Sequence, residues 1–257
     1  MPQVLDPLCT GRTLFVFDFD GTLAPIVARR ADATMPRTTR TLFAHLVAIA
    51  TTAVISGRSV SDLRTRLKIQ PDYLVGNHGL EGVSGNAAVL RQAQRLSAAW
   101  RLNLEHAFCE MPSIGIELED KNYSLAIHYR LAPDTRHARR TITRALAKLQ
   151  PVPQLISGKR VINVLPSGAP DKGAALIQLL HRTRSKQALF IGDDDTDEAV
   201  FALHDPRIVT VRVGRKRSSC AHYYLRNQAE IDVVLRYLTH CIGVPAISGS
   251  KKFGGAQ

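Results

Sequence analysis

The sequence is poor in clustered cysteines, in aromatic residues and in long apolar runs. Its four cysteines are far apart and form neither a CxxC pair nor a cluster with histidine. This spacing argues against a zinc site and a disulfide framework, and it fits a reducing compartment. The longest mainly apolar run, residues 42–55, is short and contains His45, so we expect no membrane-spanning helix. The cysteines are Cys9, Cys109, Cys220 and Cys241.

The amino-terminal residues, MPQVLDPLC, lack the basic and apolar regions of a secretion signal, so we expect a cytoplasmic protein. The chain has 257 residues, of which 45% are hydrophobic. That is enough for one large domain or for a core with a smaller inserted domain. No internal repeat or long linker divides the chain.

Acidic residues are in the minority, because 34 Lys and Arg outnumber 22 Asp and Glu and give a formal net charge of +12. This excess favours an anionic partner, which could be nucleic acid, a membrane surface or a phosphorylated small molecule. The basic residues are scattered and are not interleaved with aromatic residues, which make up 6% of the chain. We therefore expect a small-molecule partner with no nucleic acid and no membrane, and a monomer or weak oligomer.

The stretch TLFVFDFDGTLA, residues 13–24, organises the rest of the chain. Its apolar run 14–17 predicts a strand buried on both faces of a parallel sheet, and Asp18 and Asp20 follow that strand directly. Two carboxylates at this spacing can converge and repel, which calls for a divalent cation or for separate acid and base roles. The backbone NH groups after Gly21, with the Thr22 hydroxyl, could hold phosphate oxygens. The alternative is an ordinary solvated turn.

Two more predicted strands end in polar groups. A helix opening at Pro36 and running to about residue 50 precedes strand 52–55, which ends in Ser56-Gly57-Arg58 before a helix N-cap at Ser59. Strand 73–75 is followed by a constrained loop, 76–81, whose Asn77 and His78 face a site or belong to an ordinary turn. The predicted buried face of the first helix contains Leu42, Leu46 and Ile49.

The pattern changes between residues 82 and 165. A long amphipathic helix, 89–106, precedes two alternating runs, 114–118 and 125–129, which are joined by a hairpin turn at 119–122. A helix at 134–149 and a strand at 161–165 follow. We interpret residues 83–165 as a small α+β domain with an open sheet, inserted into a parallel α/β core of residues 1–82 and 166–257.

The buried-strand pattern resumes after Pro170. Asp171-Lys172-Gly173 begins a helix, 174–181, and strand 188–191 ends in the acidic run Gly192 to Glu198. A strand at 208–213 and a helix at 231–238 come last, and the tail 247–257, rich in Gly, Ser and Lys, is expected to be disordered.

Together these strand and helix ends supply the groups that phosphoryl transfer requires. Asp18 would attack phosphorus, and Asp20 would protonate the leaving oxygen and then activate water. Lys172 would keep Asp18 ionised and hold the phosphoryl oxygens. Taken singly, a surface lysine and an acid-rich helix start are the ordinary explanations. The predicted phosphate ligands are Gly21, Thr22, Ser56, Gly57, Arg58 and Lys172.

An all-oxygen Mg²⁺ site is expected at the same place, because hard oxygen ligands suit Mg²⁺ better than zinc. Asp18, the Asp20 carbonyl and Asp193 would form it, with Asp194 and Asp197 binding the ion directly or through water.

DFDGT, the Ser56 strand end, Lys172 and GDDDTDE resemble the four motifs of the haloacid dehalogenase-like phosphatases. This resemblance implies a Rossmann-like core and an aspartyl-phosphate intermediate. More narrowly, DFDGTLAPI, ISGRS, GNHGLE, EDKNYSLAIHYR, DKG and GDDDTDE resemble the trehalose-phosphate phosphatases. In that family a cap domain of open-faced sheet type lies between the second and third motifs, where the inserted segment lies here.

The resemblance also implies the substrate contacts. In the family a Glu and a Lys of the cap recognise the disaccharide, and these correspond to Glu119 and Lys121. Arg130 is a further expected contact and His128 a weaker one, and Asn77 and His78 would line the cleft from the core. The last cap strand carries Asn163 where the family usually has Glu, which keeps an acceptor for the sugar but loses its charge.

These observations lead to one main hypothesis and two alternatives. The main one is Mg²⁺-dependent hydrolysis of trehalose 6-phosphate in trehalose biosynthesis. The first alternative is a phosphatase for another sugar phosphate, of the sucrose phosphate or mannosyl-phosphoglycerate type. The second is a non-catalytic module that binds anions. A cap that closes over the core would reject polymeric substrates.

Overall fold

The computed structural model describes residues 2–27, 29–82, 87–109 and 114–243. These residues form two separate sheets with helices packed around them. The strands are β1 (Thr13–Phe17), β2 (Thr51–Ile55), β3 (Tyr73–Val75), β4 (Glu117–Asp120), β5 (Leu125–His128), β6 (Gln154–Gly158), β7 (Val161–Leu165), β8 (Gln187–Gly192), β9 (Ile208–Val213) and β10 (Tyr223–Leu225). The helices are α1 (Pro2–Cys9), α2 (Arg37–Ile49), α3 (Val60–Leu67), α4 (Ala87–Cys109), α5 (Thr135–Leu146), α6 (Lys172–Thr183), α7 (Glu198–Phe201) and α8 (Ile231–Gly243).

The larger sheet is parallel, with the strand order β10-β9-β8-β1-β2-β3. The side chains of β1 alternate between two apolar clusters. Phe15 and Phe17 join residues of α1, α2 and α8, whereas Leu14 and Val16 join residues of α6 and α7. Helices on both faces explain why residues 14–17 are continuously apolar. The carboxyl ends of the strands therefore form the edge where a ligand site is expected.

The smaller sheet is antiparallel, with the strand order β4-β5-β7-β6. Helices α4 and α5 cover one face, where Trp100 is fully buried in one cluster with Ile127 and Ile142. The other face looks toward the carboxyl edge of the larger sheet, and Glu119 and Asn163 lie on it. We name α4, β4, β5, α5, β6 and β7 the cap, and the remaining elements the core.

The predicted fold class is confirmed, because a parallel α/β core carries an inserted α+β cap with one open sheet face. The helices and strands of the cap run from Ala87 to Leu165. The Ser59 N-cap is also confirmed, since its side chain accepts a hydrogen bond from the Asp62 N–H. The predicted disordered tail, 247–257, lies outside the described residues.

Several predicted elements were wrong in detail. The buried stripe of α2 contains Thr39, Phe43 and Leu46, whereas Ile49 is 43% exposed. A threonine fits this stripe because its hydroxyl donates to Asp232 of α8, 2.6 Å away.

The hairpin of the cap turns later than predicted. Glu119 and Asp120 continue β4, where they pair with Ala126 and Leu125 of β5. The left-handed backbone that the turn needs is supplied by Asn122, whose φ is 70°. Glu119 therefore stands on the sheet face and not in the turn.

Four elements were not predicted at all: α1, β6, α7 and β10. Strands β6 and β10 are edge strands, each paired on one side. Half-exposed edge strands do not need an apolar run, so their sequences resemble loops.

Within the described part of the chain, none of the helices has the length and apolar character that crossing a membrane requires.

Candidate active site

Asp18 stands at the carboxyl end of β1 and is buried. Its N–H continues the sheet by donating to the Ile191 carbonyl, 2.8 Å away. Lys172 reaches it from the first turn of α6, which begins there because the Asp171 side chain accepts from the Ala174 N–H. The Lys172 Nζ lies 2.9 Å from Asp18 Oδ1 and 2.7 Å from Asp197 Oδ1. The core thus brings the predicted nucleophile and lysine into direct contact.

The charges in this pocket do not balance. Although burial lowers the pKa of Lys172, the Asp18 and Asp197 carboxylates raise it above its ordinary value, so this lysine is charged. Burial raises the pKa of Asp18, and Asp197 and Asp193 raise it further against the opposing effect of Lys172. One lysine therefore faces an excess of carboxylates, which a cation would relieve.

Asp18, Asp193 and Asp197 place carboxylate oxygens within 4.8 Å of one another, and all three residues are buried. Asp193 Oδ1 has no hydrogen-bond partner among the described residues. Burial, with the charges of Asp197 and Asp194, raises the pKa of Asp193 to about 7. These features fit a small hard cation bound by oxygen, of the kind predicted from the sequence.

The other predicted metal ligands, Asp194 and Asp20, are placed differently. Asp194 caps the 3-10 turn Asp195–Asp197, and its backbone N–H donates to Asp197 Oδ2 at 2.8 Å. Its side-chain Oδ1 is buried without a hydrogen-bond partner in the described residues, but it lies outside the carboxylate cluster. The side chain of Asp20 also lies outside that cluster.

Arg58 holds the Asp20 carboxylate in a fork, with Nε and Nη2 each 2.6 Å from one of its oxygens. The same guanidinium donates to Asp62 at 2.6 Å and to the Arg30 carbonyl at 3.0 Å. Arg58 is 1% exposed and stacks over the Phe19 ring, 5.5 Å from its centroid. The donors of Arg58 are thus directed at the Asp20 and Asp62 carboxylates and at the Arg30 carbonyl.

The predicted phosphate loop is tightly packed. Gly21 has a φ of 85°, and a Cβ there would lie 2.3 Å from the Asp193 carboxylate. A Cβ on Gly57 would lie 2.4 Å from the His78 ring. The Thr22 hydroxyl is buried with no hydrogen-bond partner among the described residues, and Ser56 is also buried. Ser56 and Gly57 line the cavity described next, but Gly21 and Thr22 do not.

A cavity of about 790 Å³ lies between the cap and the core. That volume is within the usual range of small-molecule sites. Its core side includes Asp18, Asp20 and Lys172. The predicted substrate contacts that line it are His78, Glu119, Lys121, His128, Arg130 and Asn163.

Lys121 crosses from the cap to the core. Its Nζ donates to the Gly57 carbonyl and to Asn163 Oδ1, each at 2.8 Å. Burial, together with the nearby charge of Arg30, lowers the pKa of Lys121 to about 7. Asn163, the residue that departs from the family pattern, is therefore an acceptor for this lysine.

Glu119 is also held from both sides. It accepts hydrogen bonds from His128 Nε2 at 2.8 Å and from Arg30 of the core. Although burial raises its pKa, His128, Lys121 and Arg30 lower the pKa of Glu119 to about 2, so it is ionised. Arg130 reaches the core as well, and its Nη1 donates to the Val27 carbonyl at 2.8 Å.

Asn77 and His78 occupy left-handed backbone positions, with φ of 51° and 60°. His78 lines the cavity, and burial with the charges of Lys121 and Lys172 holds its pKa well below the ordinary value. Asn77 does not line the cavity. It accepts from the Ser124 hydroxyl of the cap, so it joins the cap turn to the core.

The charged residues near the site that sequence reasoning missed include Arg30, Asp62 and Lys159. Arg30 belongs to a basic pair that resembles ordinary surface charge, and Asp62 follows a helix N-cap, where acids are common. Lys159 lies in the β6–β7 turn, and its Nζ is 3.6 Å from Asp193 Oδ2. No motif marks these positions, so only their folded neighbours identify them.

The fold is a capped one of the haloacid dehalogenase-like class. Its defining features are an acidic loop after β1, a lysine at the start of α6, a second acidic loop after β8 and an open-faced cap. The sequence profile of the trehalose-phosphatases matches residues 16–231. The chain therefore belongs to the trehalose-phosphatase family, as its motifs predict.

Three similar proteins align with at least 77% of this chain. An uncharacterized glycosyl hydrolase of Mycobacterium tuberculosis is 34% identical over 212 residues, which are 77% of this chain but 16% of that protein. The trehalose-6-phosphate phosphatase of Escherichia coli is 29% identical over 211 residues, 79% of this chain and 77% of that enzyme. The C-terminal domain of Candida albicans trehalose-6-phosphate phosphatase has the same fold, with a TM-score of 0.73 and 22% identity over 93% of this chain and 96% of that one.

Proposed function

We propose that this chain hydrolyses trehalose 6-phosphate to trehalose and inorganic phosphate, as a step of trehalose biosynthesis in the cytoplasm. One observation carries the proposal. Asp18, paired with Lys172 beside two further buried carboxylates, lies at one side of a cavity whose other side is made of polar cap residues. The family assignment and the activity named for the Escherichia coli relative support the same substrate.

The chemistry follows from the positions of the acids. An Asp18 oxygen attacks phosphorus, a new O–P bond forms, and the bond from phosphorus to the sugar oxygen breaks. Asp20 gives its proton to the leaving sugar oxygen. Asp20 then takes a proton from water, which attacks the aspartyl-phosphate and releases phosphate. Lys172, held between Asp18 and Asp197, keeps Asp18 ionised and offers N–H groups to the phosphoryl oxygens.

We propose that Asp18, Asp193, Asp197 and the Asp20 carbonyl hold Mg²⁺, with Asp194 beside them. When bound, the ion neutralises the clustered carboxylates and the phosphoryl charge. The unpartnered Asp193 Oδ1 supports this assignment. The backbone of Gly21 and Gly57 and the hydroxyls of Thr22 and Ser56 are the proposed phosphate contacts.

Sugar recognition is assigned to the cap. Glu119 is ionised and accepts hydroxyl hydrogens, Asn163 offers its amide oxygen as an acceptor, and Lys121 and Arg130 offer N–H donors toward the cavity. His78 is neutral and contributes from the core side. A site built from such groups discriminates strongly against ligands that leave them unpaired.

Steady-state phosphate release from trehalose 6-phosphate and from glucose 6-phosphate, with and without Mg²⁺, tests the proposal. We expect kcat/KM to be higher for the disaccharide, and Asp18→Asn to lower it by about 10³-fold or more while the protein stays folded. A higher kcat/KM on another ester of a phospho-sugar panel would assign a different substrate. No Mg²⁺-dependent release from any ester would exclude a phosphatase.

A further inference from the structure

The segment that connects the catalytic loop to α2 is held by both the cap and the core. We name its described residues, 25–27 and 29–35, the bridging segment. It contains the 3-10 turn Arg30–Asp32, and Arg30 lines the cavity. This segment follows Asp20 in sequence by only a few residues, so its position bears directly on the catalytic loop.

The cap contacts the bridging segment at two points. Arg30 Nη1 donates to Glu119 Oε2 in an ion pair whose side chains are 26% and 31% exposed. Arg130 donates to the Val27 carbonyl at 2.8 Å. One contact is a charge pair in a partly desolvated setting, where it is stronger than at a free surface, and the other fixes the backbone.

The core holds the same segment through two arginines. Arg58 Nη2 donates to the Arg30 carbonyl at 3.0 Å, and Arg66 Nη1 donates to the Ala31 and Ala33 carbonyls at 2.8 and 2.9 Å. Asp62 fixes both arginines, at 2.6 Å from Arg58 and 2.8 Å from Arg66. The bridging segment is therefore anchored to α3 by charged side chains.

Arg58 is also the residue whose guanidinium donates two hydrogen bonds to the Asp20 carboxylate. A continuous chain of contacts thus runs from Glu119 of the cap through Arg30 and Arg58 to Asp20. We propose that Arg30 is a positioning residue that couples docking of the cap to the orientation of Asp20. This inference rests on the proposed function, since it assigns Asp20 the proton transfer to the leaving sugar oxygen.

The coupling has a physical basis in what Arg30 loses when it is shortened. When the Arg30 guanidinium is removed, Glu119 keeps its hydrogen bond to His128 but loses the one to Arg30. The backbone carbonyl of Arg30 is then no longer fixed from the cap side. The carbonyl that accepts from Arg58 is then less well fixed, and so is the orientation of the two hydrogen bonds that Arg58 donates to the Asp20 carboxylate. Small errors in the position of a proton donor cost rate mainly when the leaving group needs the proton.

The test compares two leaving groups in Arg30→Ala and Arg30→Lys. A sugar alkoxide needs a proton to leave, whereas p-nitrophenolate leaves as a stable anion. For Arg30→Ala we expect the single-turnover rate of leaving-group release, which isolates the first step from hydrolysis of the aspartyl-phosphate, to fall about 10- to 100-fold on trehalose 6-phosphate and less than about 3-fold on p-nitrophenyl phosphate. Arg30→Lys keeps a cation near Glu119 and should recover part of the loss. Asp62→Asn, which loosens Arg58 from the opposite side, should show the same dependence on the leaving group.

Arg64→Ala is the matched control, because Arg64 is an exposed arginine of the same helix α3; both of its rates should stay at the wild-type values. Equal losses on both esters would show a general structural defect and overturn the inference. A raised KM with unchanged kcat would make Arg30 a sugar contact and also overturn it. If the wild type hydrolyses a different sugar phosphate, the proposed function fails and the coupling is judged on that ester. If it hydrolyses no sugar phosphate, both proposals fail.

Discussion

At the residue scale, the site is controlled by buried charge. Asp18 and Asp197 contact Lys172, and Asp193 lies 3.6 Å from Lys159, so three buried carboxylates have only two neighbouring lysines, an arrangement that costs stability. Motif residues beside strand ends could be predicted from the sequence because they occur together: each has an ordinary explanation when it is taken singly, but in combination they supply the groups that phosphoryl transfer requires. Arg30 and Asp62 could not, since an arginine or aspartate in a polar segment is ordinary until its neighbours are known.

Gly21 allows the catalytic loop to approach Asp193. Its φ of 85° is unfavourable for other residues, and a Cβ would lie 2.3 Å from the Asp193 carboxylate. Gly21→Ala should therefore displace the loop or Asp193 and lower kcat at least about 10-fold, by the usual cost of misplacing a reacting group. Phosphate-release kinetics check this. Gly168→Ala, at another glycine with positive φ but with open space around it, is the control. A Gly21→Ala enzyme with wild-type rates would contradict the close approach.

The effect of Mg²⁺ on stability should depend on pH. Asp193 has its pKa raised to about 7 in the folded protein, so in the absence of metal its contribution to stability is present below the ordinary pKa and is lost as pH rises toward 7. A metal needs the carboxylate form. Saturating Mg²⁺ should therefore raise Tm by roughly 5 °C at pH 8 and by much less at pH 5.5, as measured by thermal unfolding. Asp193→Asn should remove most of this difference, and an equal shift at both pH values would count against the site.

At the element scale, the buried strands and amphipathic helices were predictable and the edge strands were not. β1 is continuously apolar because helices cover both of its faces, and that pattern is unambiguous. β6 alternates between half-buried and exposed residues, so Gln154–Gly158 has no run that separates it from a loop. The predicted buried face of α2 contained Leu42 and Ile49 instead of Thr39 and Phe43, because Thr39 is buried through its partner Asp232, which belongs to a distant helix.

Helix α4 carries much of the stability of the cap. Trp100 is fully buried, and its Nε1 donates to the Gln150 carbonyl at 3.2 Å. Trp100→Ala should lower the free energy of unfolding by about 3–5 kcal/mol, because the cavity left by the ring is not refilled. Denaturant unfolding followed by circular dichroism measures this loss. Trp100→Phe keeps an aromatic ring and should cost less, and equal losses for both variants would point to the hydrogen bond instead of the packing.

At the scale of the whole molecule, polar contacts join the cap to the core. Lys121, Arg130, Glu119 and Ser124 each reach a core group. The existence of an inserted cap could be predicted from the change of sequence pattern after residue 82. The contacts between cap and core could not, because they join residues that are tens of positions apart.

Because Lys121 is buried, the free energy of unfolding should change with pH above 7. Its pKa is lowered to about 7 from 10.5, with burial as the largest cause. Between these values the unfolded chain binds a proton that the folded protein does not, so this group makes stability rise as pH increases above 7. Urea unfolding at pH 7, 8 and 9 should show this rise in the wild type and a flatter profile in Lys121→Met. Parallel profiles would mean that Lys121 stays charged when buried.

The chain contains one tryptophan, and it lies inside the cap. Tryptophan fluorescence therefore reports on α4 and its neighbours and not on the larger sheet. Far-ultraviolet dichroism, in contrast, reports on the helices of both the cap and the core. Recording both signals in one denaturant titration would show whether the two halves melt together or in sequence, without adding any label to the protein.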